Sequence, residues 1–163
     1  MKRAILILLA CAAMTSCASF QPIERPAFDP AEYAQLEGRT GTGIVTGQVF
    51  LRTRIGEVRY GAGSEVMLNP VTSYSRFWYE TGYQGSRNLA PPDIRQDKYI
   101  ITTQADGNGN FRFENVPPGD YYLTSDVIWQ VPIGNYMSSQ QGGYISEPIT
   151  VENGKEVKKM LTR

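Results

Sequence analysis

The stretch ADGNGNFRFENVPPGDYYL, residues 105–123, decides how the chain is read. Asp106, Asn108 and Asn110 stand at every second position, with Gly107 and Gly109 between them. That pattern suits either a calcium-binding loop or a tight turn. A calcium loop of the helix–loop–helix kind requires glycine at its sixth position and glutamate at its twelfth. Counted from Asp106, those positions hold Phe111 and Pro117, so the calcium reading fails. Asp-Gly and Asn-Gly instead supply the positive φ of a tight hairpin. Beyond the turn, Phe111 and Phe113 alternate with Arg112 and Glu114, the period-two signature of a half-buried strand. Pro117-Pro118-Gly119 makes a second turn, after which Tyr121 and Leu123 face inward again.

The same period runs through everything after Gly43. In GIVTGQVFLR, Val45, Gly47, Val49 and Leu51 share one face and Thr46 and Gln48 the other. In SEVMLNP, Val66 and Leu68 share a face and Pro70 stops the strand. KYIITTQ, NFRFENV, DYYLTSDVIWQV, ISEPITV and EVKKMLT complete a set of seven strands joined by Gly, Pro and Asn turns. With no long helical period among them, the pattern predicts an all-β sandwich. Lys155, Lys158 and Lys159 fit an exposed edge strand kept from pairing with other chains.

Composition bounds the function. The chain has 163 residues, 16 Lys+Arg against 16 Asp+Glu, and no histidine. Neutral charge argues against nucleic acid as a partner. Without histidine, the commonest general base and the commonest metal ligand are missing, and no cofactor or metal is expected. The acidic residues Asp93, Asp97, Asp106 and Glu114 are scattered, and no nucleophile–base pair is visible, so no catalytic residues are assigned.

The N-terminus, MKRAILILLACAAMTSCASF, begins with Lys2 and Arg3 and continues with an apolar run over residues 4–13. That run is too short to span a bilayer and has the anatomy of an export signal. Met14-Thr15-Ser16-Cys17 resembles the bacterial lipobox, which implies cleavage after residue 16 and lipidation of Cys17. Leu8-Leu9-Ala10-Cys11 fits the box locally but leaves a shorter apolar segment, and a plain secretory signal is the blander alternative. Ala18 and Ser19 follow the cysteine where an inner-membrane retention signal would place Asp, which points to an outer-membrane lipoprotein facing the periplasm. Residues 17–42, with Pro22, Pro26 and Pro30, are expected as a lipidated flexible tether. Within it DPAEYAQLEG predicts a short helix, with Asp29 as N-cap, Pro30 at its first position and Gly38 past its end. Tyr33 and Leu36 would dock that helix on the domain.

The run from Gly109 to Leu123 resembles the carboxypeptidase regulatory-like domain, a transthyretin-like (prealbumin-like) seven-stranded Greek-key β-sandwich. IVTGQV and GAGSEVMLNP are similar to its opening strands, and ITVENGKEVKKMLT to its closing hairpin with Asn153-Gly154 at the turn. The resemblance covers residues 43–163 and implies a fold more than a function, since such modules accompany many activities.

One departure from the family pattern attracts attention. Between the second and third strands, where the family has a short link, residues 72–98 intervene: TSYSRFWYETGYQGSRNLAPPDIRQDK. Tyr74, Phe77, Trp78, Tyr79 and Tyr83 crowd this insertion and are its candidate binding residues. The alternative is that Tyr74, Phe77 and Trp78 form one helical turn plugging the open end of the sandwich. A second polar, glycine-rich segment, residues 131–148 with Tyr136, Met137 and Tyr144, reads as a hairpin loop. These features imply a membrane-anchored, non-catalytic module that binds an envelope protein or assembles with one. The alternative is binding of glycans or peptidoglycan fragments through the aromatic insertion.

Overall fold

A computed structural model describes residues 21–134 and 137–163. The expected signal peptide, Cys11, the lipidation site Cys17 and Tyr136 lie outside the described residues. Two facing sheets, mostly antiparallel, make an all-β sandwich with few helices. In the first sheet, strand β1 (Gly43–Arg52) is central. It pairs antiparallel with β2 (Val58–Tyr60) and β5 (Asn110–Val116), and parallel with β8 (Glu156–Leu161). The second sheet runs β4 (Ile101–Gln104), β3 (Glu65–Pro70), β6 (Gly119–Ile133), β7 (Met137–Val151), antiparallel throughout. The short β2 ribbon is an eighth strand among the described residues, beyond the seven read from the sequence.

The alternation lands as expected. Val45, Val49, Leu51, Val66, Leu68, Phe111, Phe113, Tyr121 and Leu123 are all buried in one core between the sheets. Arg112 and Glu114 face solvent and pair with each other at 2.7 Å. Gly47 is required where β1 passes β8, since a Cβ there would sit 1.8 Å from the Lys159 carbonyl oxygen.

Three turns, two of them read as hairpins, behave otherwise. Residues 105–109 join β4 to β5, Pro117-Pro118 join β5 to β6, and residues 152–155 join β7 to β8; each pair of strands belongs to opposite sheets. The chain reverses tightly at all three, but as arches across the sandwich. At the first arch the Asp106 carboxylate accepts from the backbone N–H groups of Asn108 and Asn110, both at 2.8 Å, and from the Asn110 side chain. These bonds hold its pKa below the ordinary carboxylate value, the Asn110 side chain contributing most. The longest ladder is a true hairpin: β6 and β7 stay in register from Gly119↔Val151 out to Ile133↔Met137. The segment 131–148, expected as a loop, is therefore mostly the distal half of this ribbon.

Residues 17–42 were expected as a tether, and the described part, 21–42, is docked. Helix α1 (Pro30–Ala34) is capped by Asp29, whose side chain accepts from the Ala31 N–H at 2.9 Å. Tyr33 is fully buried, stacked on Phe28 with ring centroids 4.4 Å apart and against Tyr99 at 4.9 Å. Upstream, Ile23 bridges to Leu89 in the insertion, its N–H donating to the Asn88 carbonyl at 2.8 Å.

Candidate functional site

The insertion folds because its first residues cap a helix well. Thr72 and Ser75 form a capping box: the Ser75 N–H donates to Thr72 Oγ1 at 3.1 Å and the Thr72 N–H to Ser75 Oγ at 2.8 Å. Helix α2 (Ser73–Phe77) follows and continues as a π-helix over Trp78–Gln84. From the N-terminal segment, Glu32 accepts from the Ser73 N–H and hydroxyl at 2.8 and 2.6 Å. A 3-10 helix (Ile94–Tyr99) leads back to β4, begun by Asp93. The Asp93 carboxylate binds the Arg95 side chain and N–H, which lowers its pKa to about 2.

The insertion does not plug an end of the sandwich; it lies across the outer face of the second sheet. On β6, Tyr121 and Leu123 point into the core, so Tyr122 and Thr124 point out, and both are buried beneath the added layer. Tyr122 is the pedestal: Tyr79 stacks on it at 4.3 Å and 14°, and Trp78 meets it edge-on at 6.2 Å. Tyr83 stacks on Trp78 at 6.1 Å and 26°. The period-two reading placed outward residues at Met67, Asn69, Tyr122 and Thr124, but covering that face required a long-range contact.

The five aromatics singled out from the sequence take separate roles. Tyr74 is buried, its hydroxyl accepting from the Asp93 N–H at 2.8 Å, and serves as structure between the insertion and Phe28. Phe77 ends α2, half-buried. Tyr79 supports the layer from below, its hydroxyl pKa raised chiefly by burial and secondarily by Glu147. Trp78 and Tyr83 line an open cleft of about 550 Å³ between the insertion and the outer sheet face.

That volume is in the range of small-molecule sites. The floor is Met67 and Asn69 of β3, Thr124 of β6 and Tyr144 of β7. The walls add Leu89, Gln96, Ser86, Arg87, Arg163 and, from the N-terminal segment, Arg25. Thus the two segments flagged in the sequence, 72–98 and 131–148, meet at one cleft through Trp78 and Tyr144. Asn69 Oδ1 is buried here with no hydrogen-bond partner. A buried, unpaired acceptor costs about 1–3 kcal/mol. Among the described residues no aspartate, glutamate, cysteine or histidine side chain lines the cleft. Arg25, Asn69 and Arg87 had no signal in the sequence: one sits in a proline-rich lead, one beside a strand-ending proline, one in a loop.

A second concavity, about 580 Å³, lies between the 52–59 turn and Trp129 on the ribbon. It is lined by Arg52, Arg54, Arg59 and Arg163, of which Arg59 pairs with Glu57 at 2.8 Å, and among the described residues it has no aromatic stack or unpaired buried acceptor. Among the described residues no group of three or more His, Cys, Asp or Glu is placed to hold a metal ion.

No protein-family model matches the chain, and no curated protein matches it. Among solved structures, the chain is similar to a Pseudomonas aeruginosa protein described as a "putative carbohydrate binding protein", with 27% sequence identity and a TM-score of 0.73. The alignment covers 85% of this chain and 99% of that one.

Proposed function

We propose that the protein is a non-catalytic carbohydrate-binding module of the bacterial envelope, anchored by lipid at Cys17 and held at the outer membrane facing the periplasm. The observation that carries the reading is the cleft, where an indole and a phenol flank a floor of amide and hydroxyl groups. Sugar rings offer apolar C–H faces to aromatic planes and hydroxyls to such polar groups. The similarity to the Pseudomonas protein supports the same reading. The absence of aspartate, glutamate, cysteine and histidine side chains from the lining, among the described residues, supports binding without turnover. We read the sandwich as transthyretin-like, in keeping with the carboxypeptidase regulatory-like motifs of residues 43–163.

The test uses tryptophan fluorescence. The chain has two tryptophans, so Trp129→Phe leaves Trp78 as the reporter. Full-length protein in a non-glycosidic detergent is titrated with neutral and acidic oligosaccharides and muropeptides. Saturable quenching, weakened at least about tenfold in calorimetry by Trp78→Ala, is expected. Quenching of Trp129 in the Trp78→Phe variant, with no quenching of Trp78 in the Trp129→Phe variant, would move the site to the second concavity.

A second reading, docking of an envelope protein, is favoured by the distal ribbon. Ile128, Val131, Ile133 and Met137 are exposed there, Met137 at 72%. A photo-crosslinking residue at Ile133 that yields a discrete adduct in cells, with none at Tyr79, would support it.

A further inference from the structure

The charge lining the cleft has one sign. Arg25 and Arg87 border it, and no aspartate or glutamate does. Three other arginines find carboxylates, Arg59 with Glu57, Arg95 with Asp93 and Arg112 with Glu114, at 2.6–2.8 Å, whereas Arg39, Arg52, Arg54, Arg76 and Arg163 form no ion pair among the described residues. Among the described residues, Arg25 and Arg87 have no such partner. Arg25 is nevertheless held in place, by neutral groups. Its Nε donates to the Ala90 carbonyl at 2.7 Å, and its guanidinium carbon lies 5.7 Å from the centroid of the Tyr74 ring. The guanidinium is thereby oriented without being neutralised, and the rest of its donor fork is left for a ligand. Arg163 also lines the cleft, its guanidinium 3.5 Å from the Gly142 carbonyl. In the same cleft the buried Asn69 Oδ1 lacks a donor.

Resting on the reading of this cleft as a sugar site, we infer that its ligand is an acidic saccharide. The carboxylate pairs with Arg25 and Arg87, and a ring face rests on Trp78. A guanidinium fork matches a carboxylate in two parallel hydrogen bonds, which a neutral hydroxyl cannot reproduce. A neutral glycan would use the aromatic wall and leave both cations unmatched.

The test is calorimetry on the full-length chain in a non-glycosidic detergent. Trigalacturonate and trimannuronate are each compared with their methyl esters, which keep the ring and remove the charge. The acids are expected to bind at least about tenfold more tightly than the esters at roughly 50 mM salt, with the gap shrinking at roughly 500 mM. Arg87→Gln, on an exposed loop, should narrow the gap, and adding Arg25→Gln should close it. Equal affinity for acid and ester overturns the inference and leaves the neutral-sugar reading standing. An acid preference that survives both arginine substitutions also overturns it, by locating the anion elsewhere. If no saccharide of either class binds, the proposed function falls together with the inference.

Discussion

Tyr33→Ala separates docking of the N-terminal segment from folding of the sandwich. Tyr33 is fully exposed to the consequences of truncation because nothing of it reaches solvent. Its ring lies between Phe28 and Tyr99, and its hydroxyl is 3.0 Å from Thr72 Oγ1. Truncating a buried aromatic costs about 3–5 kcal/mol, since the cavity adds to the lost burial. Yet Tyr33 is not a member of the core between the sheets. The loss should therefore fall on the docking equilibrium of residues 21–42, shifting the undocked population by roughly two to four powers of ten.

Native-state hydrogen exchange reads that equilibrium directly. The reporters are the Ala90 N–H, which donates to the Ile23 carbonyl at 2.9 Å, and the Ser73 N–H, which donates to Glu32. Both should lose protection by that factor. Amides of β3 and β6, whose ladder joins Val66↔Ser125 and Leu68↔Leu123, should keep theirs. If the energy were instead lost from the global fold, the melting temperature would drop by roughly 10–20 °C and all amides would lose protection together. That result would refute the separation of segment from sandwich. Because Arg25 rides on this segment, sugar binding should weaken in the variant even though the sandwich stays folded.

Gly47→Ala should lower the melting temperature by roughly 5–15 °C, because its Cβ would press on the Lys159 carbonyl oxygen and the Phe111 ring. Gly107→Ala, with open space at its Cβ, is the control expected to change little, and equal melting temperatures for the two would refute the close-approach account. Asp93 titrates at about 2 instead of the ordinary 3.8, so its contribution to folding is complete above pH ~3.8 and is lost as pH falls through about 2. Carboxyl NMR shifts should place the midpoint near the lower value, with the Arg95 N–H losing protection alongside; a midpoint near 3.8 would exclude the Arg95 contacts in solution.

The strands and their faces were legible because alternation is local: Phe111 and Phe113 lie two residues apart and share a core whatever their partners. Which strands pair was not legible. Asp106-Gly107 and Asn153-Gly154 announce a reversal of the backbone, and that chemistry serves an arch between sheets as well as a hairpin within one. The aromatics of 72–98 were visible as a cluster, but their division into support and cleft wall depends on Tyr122, a residue on the outer face of a strand more than forty positions away from Trp78 and Tyr79. Arg25 was hidden for a different reason. Prolines at 22, 26 and 30 favour an extended chain, and an extended chain is also what docks against an insertion and pairs with it through Ile23.

That docking couples the anchor to the cleft. With Cys17 lipidated as proposed, four residue steps separate it from Gln21, the first described residue, and full extension gives about 14 Å of reach. The cleft wall at Arg25 is four steps further along the same segment. On the proposal of a lipid at Cys17, a docked domain would be held near the membrane surface. Undocked as far as Gly43, the leash lengthens to roughly 90 Å and Arg25 leaves the cleft in the same event. Reach and affinity thus trade against each other through one set of contacts: Tyr33 between Phe28 and Tyr99, Glu32 on Ser73, and Ile23 on Asn88 and Ala90. A ligand bound to Arg25 must favour the docked state by its own differential affinity, so binding should draw the domain toward the membrane.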